Sequence, residues 1–291
     1  MMQKEAVIET GAKINIFLEI LGLRSDGYHE LRSLFVPVTS PSDTLYMRPR
    51  ASGGGLALSC SLPELEDEEN ILYRAYETFA AITGERPGLE VYLDKGVPVG
   101  SGLGGGSADA AALLTYLNLG LTREFRLGPE QLQRLAASVG SDVPFFLLGK
   151  PAWVTGAGER VAPIGTALSL TGLLIVCPRV SVSTAWAYRE FDKRLGNGGH
   201  WDNGSLTRER KGSKEHHCFP GQLWHNDFEA LVFRSFPELR SLKYALFQVG
   251  ARAVILNGSG GSISALFESK SITERCQRWL DQNRIPHFIA A

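Results

Sequence analysis

Along Ala12–Leu21, Ile14, Ile16, Leu18 and Ile20 alternate with Lys13, Asn15, Phe17 and Glu19, a period of two that predicts a half-buried strand. Lys13 and Asn15 then share the face opposite the isoleucine row. The apolar runs Leu34–Val38 and Asp43–Met47 predict two more strands, and the glycine-rich stretch 48–55 reads as a hairpin connection. At Ile71–Ile82 apolar positions recur at helical spacing behind Asn70, a good N-cap. Leu89–Leu93 predicts a strand. Pro129–Val139 predicts a helix closed by Gly140, and Ser141 or Asp142 can cap a short helix with Pro144 in its first turn.

Trp153–Arg160 reads as a strand and tight turn, and here a boundary is expected between units 1–155 and 156–291. The apolar run Leu173–Val176 predicts a buried strand, and Ser181–Thr184 cap a helix that runs through Phe191. From Gly196 to Pro220 the pattern dissolves into a polar surface loop. Its His200, His216, His217 and Cys218, with the nearby His225, fit no zinc spacing. Asn226–Glu229 opens a helix to Phe233, and Pro237–Val249 predicts another. Ala253–Phe267 reads as two strands around a glycine turn. A helix at Ile272–Gln282 and a strand at His287–Ala290 complete an α+β pattern.

The 291 residues carry 30 basic and 31 acidic side chains, so no nucleic-acid or polybasic membrane surface is expected. No apolar run is long enough to span a membrane. The four cysteines, Cys60, Cys177, Cys218 and Cys276, lack C-x-x-C spacing, and there is no apolar leader. These features point to a soluble protein of a reducing cytoplasm.

The stretch Val97–Leu114 carries the most chemistry. A run of glycines opens onto an alanine-rich helix former, with Ser107 and Asp109 as capping candidates, and so bares backbone amides at a helix N-terminus. Such a place suits phosphate. Gly100-x-Gly102-x-x-Gly105 matches the dinucleotide fingerprint formally, but no strand ending in an acid follows to hold a ribose. No lysine follows the glycines, which excludes a Walker-type loop.

Three stretches together, Ala12–Leu18, Pro98–Ala111 and Leu256–Ser262, resemble in order and spacing the three motifs of the galactokinase, homoserine, mevalonate and phosphomevalonate (GHMP) kinase superfamily. Asp26–Leu31, Gly140–Phe146 and Asn226–Glu229 resemble its members that act on a cytidylated sugar alcohol. The resemblance implies two domains of an α+β fold. The first is like domain 2 of ribosomal protein S5, with a left-handed βαβ unit; the second is ferredoxin-like, and the site lies between them.

The implied reaction moves the γ-phosphoryl group of ATP, with Mg²⁺, to a substrate hydroxyl. Asp142 matches the catalytic aspartate and Lys13 the lysine beside it. The glycine loop, Pro98, Gly100, Gly102, Leu103, Gly104, Gly105, Gly106 and Ser107, matches the ATP loop, with adenine near Asn70 and Lys95. Tyr28 matches a residue that stacks on cytosine and His29 one that hydrogen-bonds its edge. Tyr188 is the candidate for the far side of the ring, and Asn15 for a polar contact near the reacting hydroxyl. Gly258, Ser259 and Gly260 match the third motif, although Asn257 stands where Ser or Thr is common. Other small alcohols, or nucleotide binding without catalysis, are the alternatives. Tyr28 and His29 argue against the first, since mevalonate and homoserine offer no base to stack on. The implied partner is a small molecule, and the implied state a monomer or weak homodimer.

Overall fold

The structure is a computed structural model describing residues 4–50, 54–165, 168, 170–196 and 224–290. The loop expected beyond Gly196, with His200, His216, His217 and Cys218, lies outside these residues.

Strands β1 (Ala6–Leu23) and β2 (His29–Pro49) form a long antiparallel pair, from Ala6 opposite Met47 to Leu23 opposite His29. The two short strands expected at Leu34–Val38 and Asp43–Met47 are thus one, because the Ser- and Pro-containing segment between them stays extended. The register shifts between Thr10 and Ala12, Asn15 and Phe17, and Ile20 and Gly22. From Ala12 to Ile20 every residue of β1 is buried, so both of its faces are covered and Lys13 and Asn15 do not lie on a solvated side as a half-buried strand would place them.

The stretch 48–55 is not a hairpin. Strand β3 (Leu56–Cys60) runs parallel to β4 (Leu89–Asp94), which lies between β3 and β2. Helix α1 (Ile71–Thr83) makes the crossover of this βαβ unit and buries Leu72, Ala75, Tyr76 and Phe79. Asn70 caps α1 through its side chain, and Gly84 closes it in the left-handed region. Helices α2 (Gly105–Gly120), α3 (Pro129–Val139) and α4 (Val143–Leu148) share the core of this half with α1 and β4. Strand β5 (Ala152–Gly156) pairs with β2 and turns back into β6 (Arg160–Pro163).

The second sheet is antiparallel, in the order β11 (His287–Ile289), β7 (Leu173–Val176), β10 (Ile263–Leu266), β9 (Ala253–Leu256). Taken in chain order these are the fourth, first, third and second strands of a ferredoxin-like βαββαβ unit. Its helices are α5 (Thr184–Gly196), α6 (Glu229–Ser235), α7 (Pro237–Val249) and α8 (Lys270–Gln282).

Strand β1 belongs to both halves. Leu18 and Ile20 join the core under α7 and α8, while Ile14 and Ile16 pack with Leu173 and Ile175. A two-residue strand, β8 (His225–Asn226), runs parallel to β1 at Phe17 and Leu18. Lys13 and Asn15 are thereby carried on the element where the halves meet. Among the described residues no helix is long and apolar enough to cross a membrane.

Candidate active site

The glycine loop is built by backbone conformations that only glycine adopts without strain. Gly100, Gly102 and Gly104 have φ of 70°, 80° and 76°. A Cβ on Gly102 would stand 2.1 Å from the Asn257 carbonyl oxygen, and one on Gly260 would stand 2.2 Å from the Gly102 nitrogen. The loop and the 257–262 turn therefore lie backbone on backbone. They are tied by bonds from Gly261 N to Gly100 O at 3.3 Å and Ser262 N to Ser101 O at 3.1 Å.

Helix α2 starts at Gly105 behind Gly104, with no side-chain cap. Ser107 and Asp109 do not cap it, because both stand inside the helix. The first helical bond runs from Ala108 N to Gly104 O, so the amides of Gly105, Gly106 and Ser107 have no acceptor within the helix. They border a cleft of about 400 Å³, lined also by Asn70, Lys95, Pro98 and Gly100. Unclaimed amides at a positive helix end fit the phosphates of a nucleotide. Leu103 serves from beneath: it is fully buried, and its carbonyl accepts the Lys13 amide at 2.8 Å.

The adenine candidates are differently placed. The Asn70 side chain is committed at both ends, taking Leu72 N at 3.0 Å and donating to Leu65 O at 2.7 Å. The Lys95 ammonium meets two buried carboxylates, bonding Asp43 and standing 3.2 Å from Asp109. Asp43 takes the amides of Gly96 and Val97 at 2.8 and 2.7 Å, and Asp109 takes the Thr10 hydroxyl at 2.7 Å. Burial opposes the Lys95 charge, but Asp109 and Asp43 outweigh it and hold the ammonium above its usual range. Burial pushes Asp109 up to about 7, against the pull of Lys95. Sequence reading missed this cluster, whose members Thr10, Asp43, Lys95 and Asp109 come from four separate segments.

The second cleft, about 1100 Å³, adjoins the first at Ile71, Gly102, Gly104 and Ser107. On its floor the Lys13 ammonium donates to Asn15 Oδ1 at 2.7 Å and Gly102 O at 2.8 Å, lies 4.6 Å from the centroid of the Phe35 ring, and stands 3.7 Å from Asp142 Oδ2. Burial lowers the Lys13 pKa, and the Asp142 charge and hydrogen bond resist that shift. Asp142 stands at the start of α4 but makes no capping bond, which leaves its carboxylate to the cleft. Asn15 is fixed in turn by its bond to Ser33 Oγ at 3.0 Å.

At the far end Tyr28 is 66% exposed beside the turn after β1, its ring open to a planar partner. His29 is buried, bonds Asp192 at 2.7 Å through Nε2 and stacks on Tyr188 with centroids 4.7 Å apart. Tyr188 also meets Phe228 edge-on, so its ring backs His29 and does not stand free opposite Tyr28. Burial, with the Asp142 charge, raises the Tyr188 phenol above its ordinary pKa. Gly258 and Ser259 line the cleft, Ser259 bonding Thr184 at 2.9 Å, whereas Gly260 rests on Gly102. Asn257 is internal to its turn, donating to Ser262 and accepting from Ser264 at 2.9 Å each. Among the described residues no three or more His, Cys, Asp or Glu form a group that could hold a metal.

The two clefts thus adjoin at Gly102, whose carbonyl takes the Lys13 ammonium beside Asp142. Residues 70–150 match the GHMP kinases N terminal domain and residues 220–283 the GHMP kinases C terminal domain. The chain is 40% identical over 267 residues to the 4-diphosphocytidyl-2-C-methyl-D-erythritol kinase of Solidesulfovibrio magneticus, covering 92% of this chain and 90% of that one. It is 41% identical over 278 residues to the enzyme of that name from Nitratidesulfovibrio vulgaris, covering 94% of each. A crystal structure of a 4-(cytidine 5'-diphospho)-2C-methyl-D-erythritol kinase superposes with a TM-score of 0.72 at 30% identity, over 97% of each chain. A homoserine kinase from Cytophaga hutchinsonii, at 21% identity and TM-score 0.66, shares the fold. With the glycine loop, the two-sheet architecture and relatives matched nearly end to end, the chain belongs to the 4-diphosphocytidyl-2-C-methyl-D-erythritol kinase family of GHMP kinases.

Proposed function

We propose that the protein transfers the γ-phosphoryl group of ATP to the 2-hydroxyl of 4-diphosphocytidyl-2-C-methyl-D-erythritol, a step of isoprenoid precursor synthesis. The observation that carries this reading is the placement of Lys13 and Asp142, 3.7 Å apart, where the two clefts join beside Gly102. When bound, ATP supplies the phosphoryl group, and Mg²⁺ offsets the charge of its phosphates.

The chain's own part is to position and neutralise. The amides of Gly105, Gly106 and Ser107 donate to phosphate oxygens. Lys13, held by Asn15 and Gly102, stabilises the group in transit. Asp142 accepts the proton of the attacking hydroxyl and helps keep Lys13 charged. Of the described side chains in the cleft, the Ser107 hydroxyl and the Asp142 carboxylate would be the ones to hold a Mg²⁺. Tyr28 and His29 take the cytosine, and Tyr188 supports His29.

The cysteines among the described residues are free and buried, and burial pushes Cys177 up to about 12 and Cys276 up to about 11. Unreactive thiols of this kind are in keeping with a reducing cytoplasm.

The test is ADP formation from ATP and Mg²⁺ with a panel of alcohols: the cytidylated methylerythritol, methylerythritol phosphate, mevalonate and homoserine. The cytidylated substrate alone is expected to drive turnover. Equal or faster turnover with mevalonate or homoserine would overturn the assignment, and ADP formation with none of them would favour a binding module.

A further inference from the structure

The segment Asn226–Glu229 resembles a family signature, yet of its four residues only Phe228 lines the cleft. Asn226 and Asp227 tie the second half to β1, while Phe228 and Glu229 brace that half from within. Asn226 is buried, on the short strand that runs beside β1 at Leu18. Its amide donates to Leu256 O at 2.8 Å and to Gly258 O at 2.7 Å, and its oxygen takes the Phe228 amide at 2.9 Å. Asp227 Oδ2 takes the Ile20 amide at 2.7 Å, and its own amide donates to Leu18 O at 3.1 Å. Glu229 takes the Leu256 amide at 3.0 Å and pairs with Lys243. Phe228 supports Tyr188 edge-on.

The Gly258 carbonyl belongs to the turn that faces the reacting groups. A Cβ on Gly258 would lie 3.5 Å from both Lys13 Nζ and Asn15 Oδ1. On its other side the same turn rests on the glycine loop, where Ser262 Oγ bonds Ser101 O at 2.7 Å. The turn is therefore gripped between the phosphate loop and the Asn226 amide. Because Asn226 is registered against β1, the strand that carries Lys13, its two bonds set the distance between the Gly258 turn and the catalytic lysine.

We propose that Asn226 is a positioning residue for phosphoryl transfer, holding the Gly258 turn at its working height over Lys13 and Asn15. Loss of its two donors releases two buried carbonyls, and the turn shifts to find other partners. Misplacement of reacting groups by about 1 Å can cost on the order of 100-fold in rate. Nucleotide affinity depends chiefly on amides of α2 that Asn226 does not touch. The inference rests on the kinase reading, and wild-type turnover of the cytidylated substrate, run in parallel, tests that reading separately.

Asn226→Ala is expected to lower kcat by roughly 10- to 100-fold per folded molecule, with the Kd for ATP within about threefold of wild type. Leu280→Ala, which opens a cavity in the second core, serves as a control for lost stability. It is expected to keep kcat once the folded fraction is normalised. Asn226→Asp keeps the shape and presents a carboxylate to two carbonyls, so kcat relative to wild type should climb as pH falls and the acid regains one donor. If Asn226→Ala does not fold, this pH-dependent recovery carries the test. A kcat within twofold of wild type in Asn226→Ala, a loss equal to that of Leu280→Ala, or a pH-independent Asn226→Asp defect would overturn the proposal.

Discussion

Replacing Asp142 by Asn removes one charge and almost no volume, and so separates the role of the carboxylate from its packing. At 3.7 Å from Lys13, with an effective dielectric of about 20, the attraction is about 4 kcal/mol. Solvent reaches the carboxylate, which is 28% exposed, and screens the net loss of stability to roughly 1–2 kcal/mol. Lys13 keeps Asn15 and Gly102 as acceptors, so the variant should fold. Turnover should suffer far more, since a positioned general base contributes roughly 100- to 10,000-fold. That is about 3–5 kcal/mol in the barrier. ATP affinity should stay within about threefold, because the amides of α2 are untouched.

The same variant has a signature in pH. Burial lowers the Lys13 pKa and Asp142 resists the shift. Removing the acid should therefore move the alkaline loss of activity to lower pH. The assay is single-turnover ADP formation across pH, paired with calorimetric titration of ATP. Turnover within fivefold of wild type, or an alkaline limb that does not move, would refute the reasoning.

Two further tests reach other parts of the account. Tyr28→Ala should raise the KM for the cytidylated substrate about tenfold while leaving the Kd for ATP unchanged, since aromatic stacking on a base is worth roughly 1–3 kcal/mol; equal losses for both ligands would contradict the placement of the base. Burial pushes the Asp109 carboxyl up to about 7, above the usual carboxylate range, so the folded state holds a proton that the unfolded chain has released. Stability from this group is complete below about pH 4 and is lost as pH rises through about 7. Urea unfolding should accordingly show wild type losing stability relative to Asp109→Asn over that window; a constant difference would exclude the buried titration.

Much of the architecture was legible in local pattern. Helices α1, α3, α7 and α8 fall within two residues of the expected bounds, because each carries an apolar face at helical spacing and clear end signals. What failed was pairing. The stretch 48–55 looked like a hairpin because glycine turns commonly join neighbouring strands, but α1 carries the chain back to place β4 between β3 and β2. Strand β1 read as half-buried because alternation reports one covered face; the second sheet covers the isoleucine row, while Gly102, Phe35 and Ser33 close over Lys13 and Asn15 on the other.

The site divides in the same way. The glycine loop announced itself through composition, and Lys13 and Asp142 through motif context. The Asp192 partner of His29 lies 163 residues away in sequence, and Asp43 is 52 residues from Lys95. No periodicity joins such pairs. Asn70 and Lys95 matched motif positions, but their polar groups are spent on a cap and on a buried charge cluster. Only tertiary structure distinguishes a side chain that faces a ligand from one that braces the loop behind it.

The central claim is a phosphoryl transfer to one particular hydroxyl, and the product itself tests it most directly. Phosphorus NMR of the reaction of ATP, Mg²⁺ and the cytidylated methylerythritol should show one new phosphomonoester on the 2-hydroxyl, one ADP per product and an intact cytidine diphosphate linkage. Inorganic phosphate in place of the monoester, or a phosphoryl group on any other oxygen, would contradict it.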